Sequence, residues 1–180
     1  GYKPPQNSQI NWVISLTDFP EWIAAKRQSG VVVVNSRVKL TYDPMFSRVK
    51  HLNRLPQVIA SMELDESGAD EAFMYDFQGN LVEGTKSNVF LVDNSKIITP
   101  IIDSCGIPGV MRQILIERLN ENGFEVIETS VPSSQLEAVD EVFLSNSIIG
   151  YWPVKSLAGR DLAIGGVCDK LSYLLKDVLI

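Results

Sequence analysis

EAFMYDFQGNLVEGTKSNVFLVDNSKIITP, residues 71–100, holds four short β-rich runs separated by turn-forming residues. The runs are EAFMYDF, LVEG, SNVFLVD and KIITP, and the breaks fall at Gln78, Gly79 and Asn80 and again at Asp93, Asn94 and Ser95. Gly, Asn and Asp tolerate the backbone angles that tight hairpin connections need, so the stretch is expected to form a meander of hairpins. Strands of this kind, combined with helices elsewhere, imply an α+β fold.

Toward the C-terminus, Pro108 at a helix start, the apolar positions Val110, Ile114, Leu115 and Leu119, and Gly123 past the end together bound a helix. FEVIETSV, DEVFLSNS and YWPVKSLAG read as further strands, SSQLEAV as a short helix, and a last helix is expected near Asp169 to Val178. Toward the N-terminus, Ile10, Trp12, Ile14 and Leu16 alternate at period two and predict a strand with one apolar face. Asp18 is expected to cap a helix with Pro20 in its first turn, running through Trp22, Ile23 and Ala24 to a stop at Gly30. Val31 to Val34 is β-branched and suits a strand buried on both faces, continuing toward Leu40. Between Arg54 and Glu66 the residues Leu55, Val58, Ile59, Met62 and Leu64 recur near the helical period, and Pro56 fits only in the first turn.

A chain of 180 residues is enough for about one domain with a substantial core. Its 45% hydrophobic and 21% charged residues place it among ordinary globular proteins. The net charge of −6 leaves no basic stripe for a phosphate backbone, which argues against nucleic acid as a partner. No apolar run approaches the roughly 18 residues of a membrane helix, and GYKPPQNSQ lacks the apolar core of a secretory leader, so a cytoplasmic protein is expected. Cys105 and Cys168 form no CxxC pair and are expected to be reduced. A single histidine, His51, cannot assemble a His-rich metal site, so no metal is expected, and a hydrogen-bonded structural role is favoured for it over that of a base. Gly1, Pro4, Pro5 and Asn7 read as an extended segment with no structural start of its own, as if cut from a longer chain.

Taken singly, Lys50, Glu83 or the turn at Gly109 would be solvated charge or punctuation. Read together and in this order, SRVKHLNRL, VEGTKSNVFLV, CGIPGVMRQ and DEVFLSNSIIGYWPV resemble the large domain of the fold-type IV pyridoxal-phosphate enzymes, over roughly residues 10 to 165. That family holds branched-chain and D-amino-acid aminotransferases and 4-amino-4-deoxychorismate lyase, and KHLNRLPQVIA is most similar to the lyase branch. The resemblance implies the large C-terminal domain of the D-amino-acid-aminotransferase-like fold, with mixed and antiparallel sheets curling into a pseudobarrel flanked by helices. It also implies that residues 1–180 are the cofactor-binding domain, that a small N-terminal domain is missing, and that the protein is a homodimer.

By position, the resemblance implies that Lys50 bonds covalently to the aldehyde of pyridoxal 5'-phosphate and moves the proton. Burial beside the cofactor, with Arg48 and His51 adjacent, would lower an ammonium pKa toward that task. Glu83 corresponds to the carboxylate that pairs with the pyridine nitrogen, and Thr85 and Ser87 are candidates to position the ring, while Asn88 is expected to be a backbone-bonding strand residue. Val110 and Met111, after Gly109, correspond to the turn whose amides hold the phosphate, a use that helix N-termini suit. Met111 stands where many relatives have Thr, which removes a hydroxyl contact but leaves the amide. Ser147 corresponds to a hydroxyl on the phosphate, and Asn146 beside it is the lyase-like choice. The implied activity is conversion of 4-amino-4-deoxychorismate to 4-aminobenzoate and pyruvate in folate biosynthesis. An aminotransferase of the same fold and an inactive scaffold remain as alternatives, as does the question of whether the fragment acts alone.

Overall fold

The structure is a computed structural model and describes every residue except 1, 2, 4, 8, 10, 95 and 180. In chain order it contains α1 (Trp22–Ser29), β1 (Val31–Lys39), α2 (Leu55–Ser67), β2 (Glu71–Tyr75), β3 (Asn80–Gly84), β4 (Asn88–Asp93) and β5 (Lys96–Pro100). There follow α3 (Val110–Glu121), β6 (Glu125–Thr129), β7 (Val131–Pro132), a 3-10 turn (Ser133–Glu137), β8 (Glu141–Asn146), β9 (Gly150–Leu157), β10 (Arg160–Asp161) and α4 (Val167–Leu174). The strands follow one path, β6-β5-β4-β8-β9-β1-β2-β3-β7, with β10 beside β9. β1 runs parallel to both β2 and β9, and β5 runs parallel to β6, while β4, β8 and β9 are antiparallel neighbours. This is the mixed α+β architecture the sequence implies. The path ends at β6 and β7, so the sheet curls without closing.

The period-two pattern of the central strands explains the curl. In β4, Val89 and Leu91 join Phe73 and Trp152 in one core, while Phe90 and Val92 point the other way into a second core with α3 and α4. Phe90 stacks on Phe143 of β8 there, ring centroids 4.8 Å apart. The first core draws residues from β1, β2, β3, β4, β8 and β9, and strands from both halves of the path share it. α3 ends where expected, with Gly123 at φ 83°, a left-handed angle that a side chain would strain.

Several expectations are corrected. Residues 11–19 form no strand, and Trp12, Val13, Ile14 and Leu16 are exposed, because none of the described strands offers their backbone a ladder partner; Ile10 lies outside the described residues. α1 begins at Trp22 after Glu21, without a side-chain cap from Asp18. β1 has Val31 and Val33 buried but Val32 and Val34 only partly so. The short helix expected at SSQLEAV is present, as a 3-10 helix over Ser133–Glu137. The meander is split: β2–β3 and β4–β5 are hairpins, but β4 turns from β3 to pair with β8. α2 has the expected period and Pro56 in its first turn, yet Leu55, Val58, Ile59 and Met62 face outward and Ala60 alone is buried. A stripe states that one face is apolar, not what lies against it.

Candidate active site

A cavity of about 730 Å³ opens where four connections meet: the loop carrying Lys50, the end of β3 with residues 84–88, the turn before α3, and the β8–β9 turn. That volume lies within the roughly 300–1,000 Å³ of small-molecule sites. Lys50, Glu83, Val110 and Ser147 all line it. Met111 does not: its side chain packs in the second core with Leu115, and only its backbone belongs to the turn. Lys50 is exposed, so the burial assigned to it from sequence is not supplied by the described residues. His51 lies outside the cavity lining, where Nδ1 accepts from Asn53 N at 3.2 Å and the ring meets Phe46 edge-on.

Glu83 is the buried acid of the cavity. It sits at the end of β3 with 5% of its surface exposed, and burial pushes its carboxyl up to about 7 despite opposing contributions from the Ile107 amide, Gln57, Arg54 and Lys50. Ile107 N donates to Oε2 at 2.8 Å and Gln57 Nε2 donates to Oε1 at 3.4 Å. A carboxyl held in this way and poised near neutrality is suited to a basic ring nitrogen, whose charge would offset the desolvation.

Two features of the surrounding shell escape a reading of the sequence. Glu71, opening β2 and 1% exposed, accepts hydrogen bonds from Thr85 N at 2.9 Å and Ser87 Oγ at 2.8 Å, and also from Thr85 Oγ1. The hydroxyls of Thr85 and Ser87 are therefore engaged beneath the loop and not turned to a ring. A Glu heading an apolar run is the only trace of this in the sequence. Asn88 does more than bond its own strand: its Nδ2 donates to Ile107 O at 2.8 Å and its Oδ1 accepts from Gly109 N at 2.9 Å. A Cβ at Gly109 would collide with Asn88 Oδ1, so glycine permits the clamp.

The clamp sets the N-terminus of α3 against the cavity. Gln113 N is the first helical amide to find its partner, Gly109 O at 3.1 Å, so the amides of Val110, Met111 and Arg112 precede the ladder. Beside that clamp, Ser145 on β8 pairs with Asn88 in the ladder and lines the same cavity; it is fully buried, and its Oγ has no hydrogen-bond partner among the described residues. A buried hydroxyl without a partner is uncommon and marks a place for a missing polar group. Ser147 follows it in a turn where Asn146 Oδ1 accepts from Ile148 N and Ile149 N, and Asn146 Nδ2 ties the turn to Lys86 O at 2.9 Å. An amine, a carboxyl near neutrality, a set of leading helix amides and an orphaned hydroxyl around one cavity form a donor set that fits a phosphorylated pyridine aldehyde.

Residues 2–157 match the family model for amino-transferase class IV. The chain is 30% identical over 176 residues to the aminodeoxychorismate lyase of Vibrio harveyi, covering 98% of this chain and 65% of that protein. Its fold is similar to the crystal structure of 4-amino-4-deoxychorismate lyase from Pseudomonas aeruginosa, with a TM-score of 0.85 and 36% identity over 91% of this chain and 60% of that one. An aminotransferase from Brucella abortus bound to the co-factor PLP is similar with a TM-score of 0.77 and 25% identity, over 82% of this chain and 54% of that one. The chain thus spans less than two thirds of each of these proteins.

Proposed function

Because the chain belongs to the class IV amino-transferase family, we propose that residues 1–180 are the C-terminal cofactor-binding domain of a pyridoxal-phosphate enzyme acting as an aminodeoxychorismate lyase. The observation that carries the reading is the meeting of Lys50, Glu83 and the α3 N-terminus at one cavity. The likeness to the two lyases supports the choice of reaction.

Bound there, the cofactor supplies an aldehyde for the substrate amine and a protonated ring that accepts electrons released at the carbon bearing that amine. Lys50 Nζ would hold the cofactor through its aldehyde and would serve as the base for the proton on that carbon. Glu83 keeps a proton shared with the ring nitrogen, and the Ile107 amide and Gln57 fix the carboxyl for it. The amides of Val110 and Met111, with Ser147 and Ser145, bind the phosphate end, and the Asn88 clamp orients those amides. Glu71 holds the loop after Glu83 from below. Breaking the ring C–O bond would send its electron pair to the departing three-carbon enol, which would gain the proton taken from the ring to become pyruvate and leave 4-aminobenzoate.

Incubation of the holoenzyme with aminodeoxychorismate is expected to yield 4-aminobenzoate and pyruvate in equal amounts. Borohydride reduction followed by peptide mapping is expected to label Lys50, and K50A is expected to lose both label and turnover. A second reading, an aminotransferase on the same fold, is favoured by the likeness to the Brucella abortus protein. It predicts amino-group exchange between glutamate or D-alanine and a 2-oxo acid with no pyruvate released from aminodeoxychorismate. Our reading includes a cytoplasmic location and a homodimer; the outward apolar face of α2 supports the homodimer, and sedimentation of the purified protein checks the stoichiometry.

A further inference from the structure

Two residues before Lys50 the backbone takes a conformation that disfavours the residue found there. Pro44–Arg48 is a turn in which Ser47 N donates to Asp43 O at 2.7 Å. Arg48 ends the turn at φ 69°, its own amide donating to Gly106 O at 3.0 Å. The left-handed position at the end of a helical turn is one that glycine fills without strain, whereas a Cβ there crowds the backbone. Among the described residues the other side-chain-bearing positions with positive φ are Asn94, between β4 and β5, and Ala158, between β9 and β10. Those are tight hairpin connections, whose twist demands such angles. Arg48 is in no hairpin.

Arg48 lines the cavity. Its neighbours in charge are already engaged: Arg54 donates to His51 O and Val49 O, Lys86 donates to Asp70 O, and Lys50 is reserved for the cofactor. Arg48 has no carboxylate within ion-pairing distance among the described residues. Arg48 is thus a cation of the cavity lining that no carboxylate among the described residues neutralises. A strained backbone persists where the surroundings require it, and such positions concentrate at functional sites.

We propose that Arg48 is a specificity residue that binds a substrate carboxylate remote from the reacting amine, so that the site selects cyclic amines carrying such an acid. The inference rests on the lyase reading of the cavity and deepens it. A planar guanidinium matches a carboxylate in a way that an ammonium does not.

The test is R48G in the intact holoenzyme, with chorismate, which carries the carboxylates but no reacting amine, as the calorimetric probe. Glycine relieves the backbone, so R48G is expected to melt about 1–4 °C higher. It is expected to bind chorismate at least about tenfold more weakly, with R48K between the two. Affinity for the uncharged methyl 4-hydroxybenzoate is expected to stay within about twofold of the parent, the spread of surface substitutions away from a contact. Unchanged chorismate affinity in R48G, with Lys50 still labelled by borohydride, would remove the role of Arg48 alone. Equal losses for chorismate and the neutral ester would overturn it by showing that shape and not charge had changed. Absence of a label in the parent protein would remove the lyase reading beneath it.

Discussion

Glu83 shows what burial does to a single acid. Its carboxyl is raised from 4.5 to about 7, so the folded chain retains a proton that the unfolded chain releases. The stabilisation from that proton is complete below pH 4.5 and is lost as pH rises through about 7. The cofactor-free protein is therefore expected to lose stability over that window, with a slope approaching about 1.4 kcal/mol per pH unit. E83Q is expected to flatten the profile in urea titrations run from pH 4.5 to 8. A slope unchanged in E83Q would place the responsible group elsewhere. Ser145 gives the opposite case, a buried polar atom with no partner. Leaving a hydroxyl unsatisfied costs about 1–3 kcal/mol, so S145A is expected to be no less stable than the parent without cofactor. It is also expected to hold pyridoxal phosphate several-fold less tightly when followed by cofactor absorbance.

Among the elements, α3 and α2 differ in how they meet the rest of the fold. The N-terminus of α3 is held by Asn88 through both ends of its amide, at 2.8 Å and 2.9 Å. N88A removes both bonds and is expected to cost about 1–3 kcal/mol in chemical denaturation, with weaker phosphate binding measured on pyridoxal phosphate and unchanged helix content by circular dichroism. α2 presents Leu55 and Met62 to the outside, 62% and 63% exposed. At concentrations where the chain is monomeric, L55E and M62K are expected to change its stability by no more than about 0.5 kcal/mol, since neither side chain has packing to lose within the chain. A loss of several kcal/mol in denaturant would mean that the stripe is covered. The helix itself was legible from its spacing and from Pro56. Its facing was not, because spacing carries no record of the neighbour.

At the scale of the whole molecule, Trp152 ties the parts together. It is 2% exposed, donates from Nε1 to Ile23 O at 3.1 Å, and tilts against Trp22 of α1 at 5.6 Å. It also joins the core shared by strands from both halves of the sheet and lines the cavity. W152A is expected to destabilise the fold by about 3–5 kcal/mol in denaturant and to enlarge the cavity, raising the dissociation constant for the cofactor as well.

By itself the sequence determined the strands of residues 71–100, the limits of α3 from Pro108 to Gly123, and the four motifs that place the chain in its family. Those properties reside in turn chemistry, side-chain period and short ordered motifs, each written in a few adjacent residues. Tertiary structure alone decided that β4 leaves β3 for β8, that α2 turns its apolar stripe outward, that Glu71 anchors the loop after Glu83, and that Ser145 is buried without a partner. Each of these depends on contacts between residues far apart in the chain, and burial and pairing at such distances are set by the packing of the whole sheet.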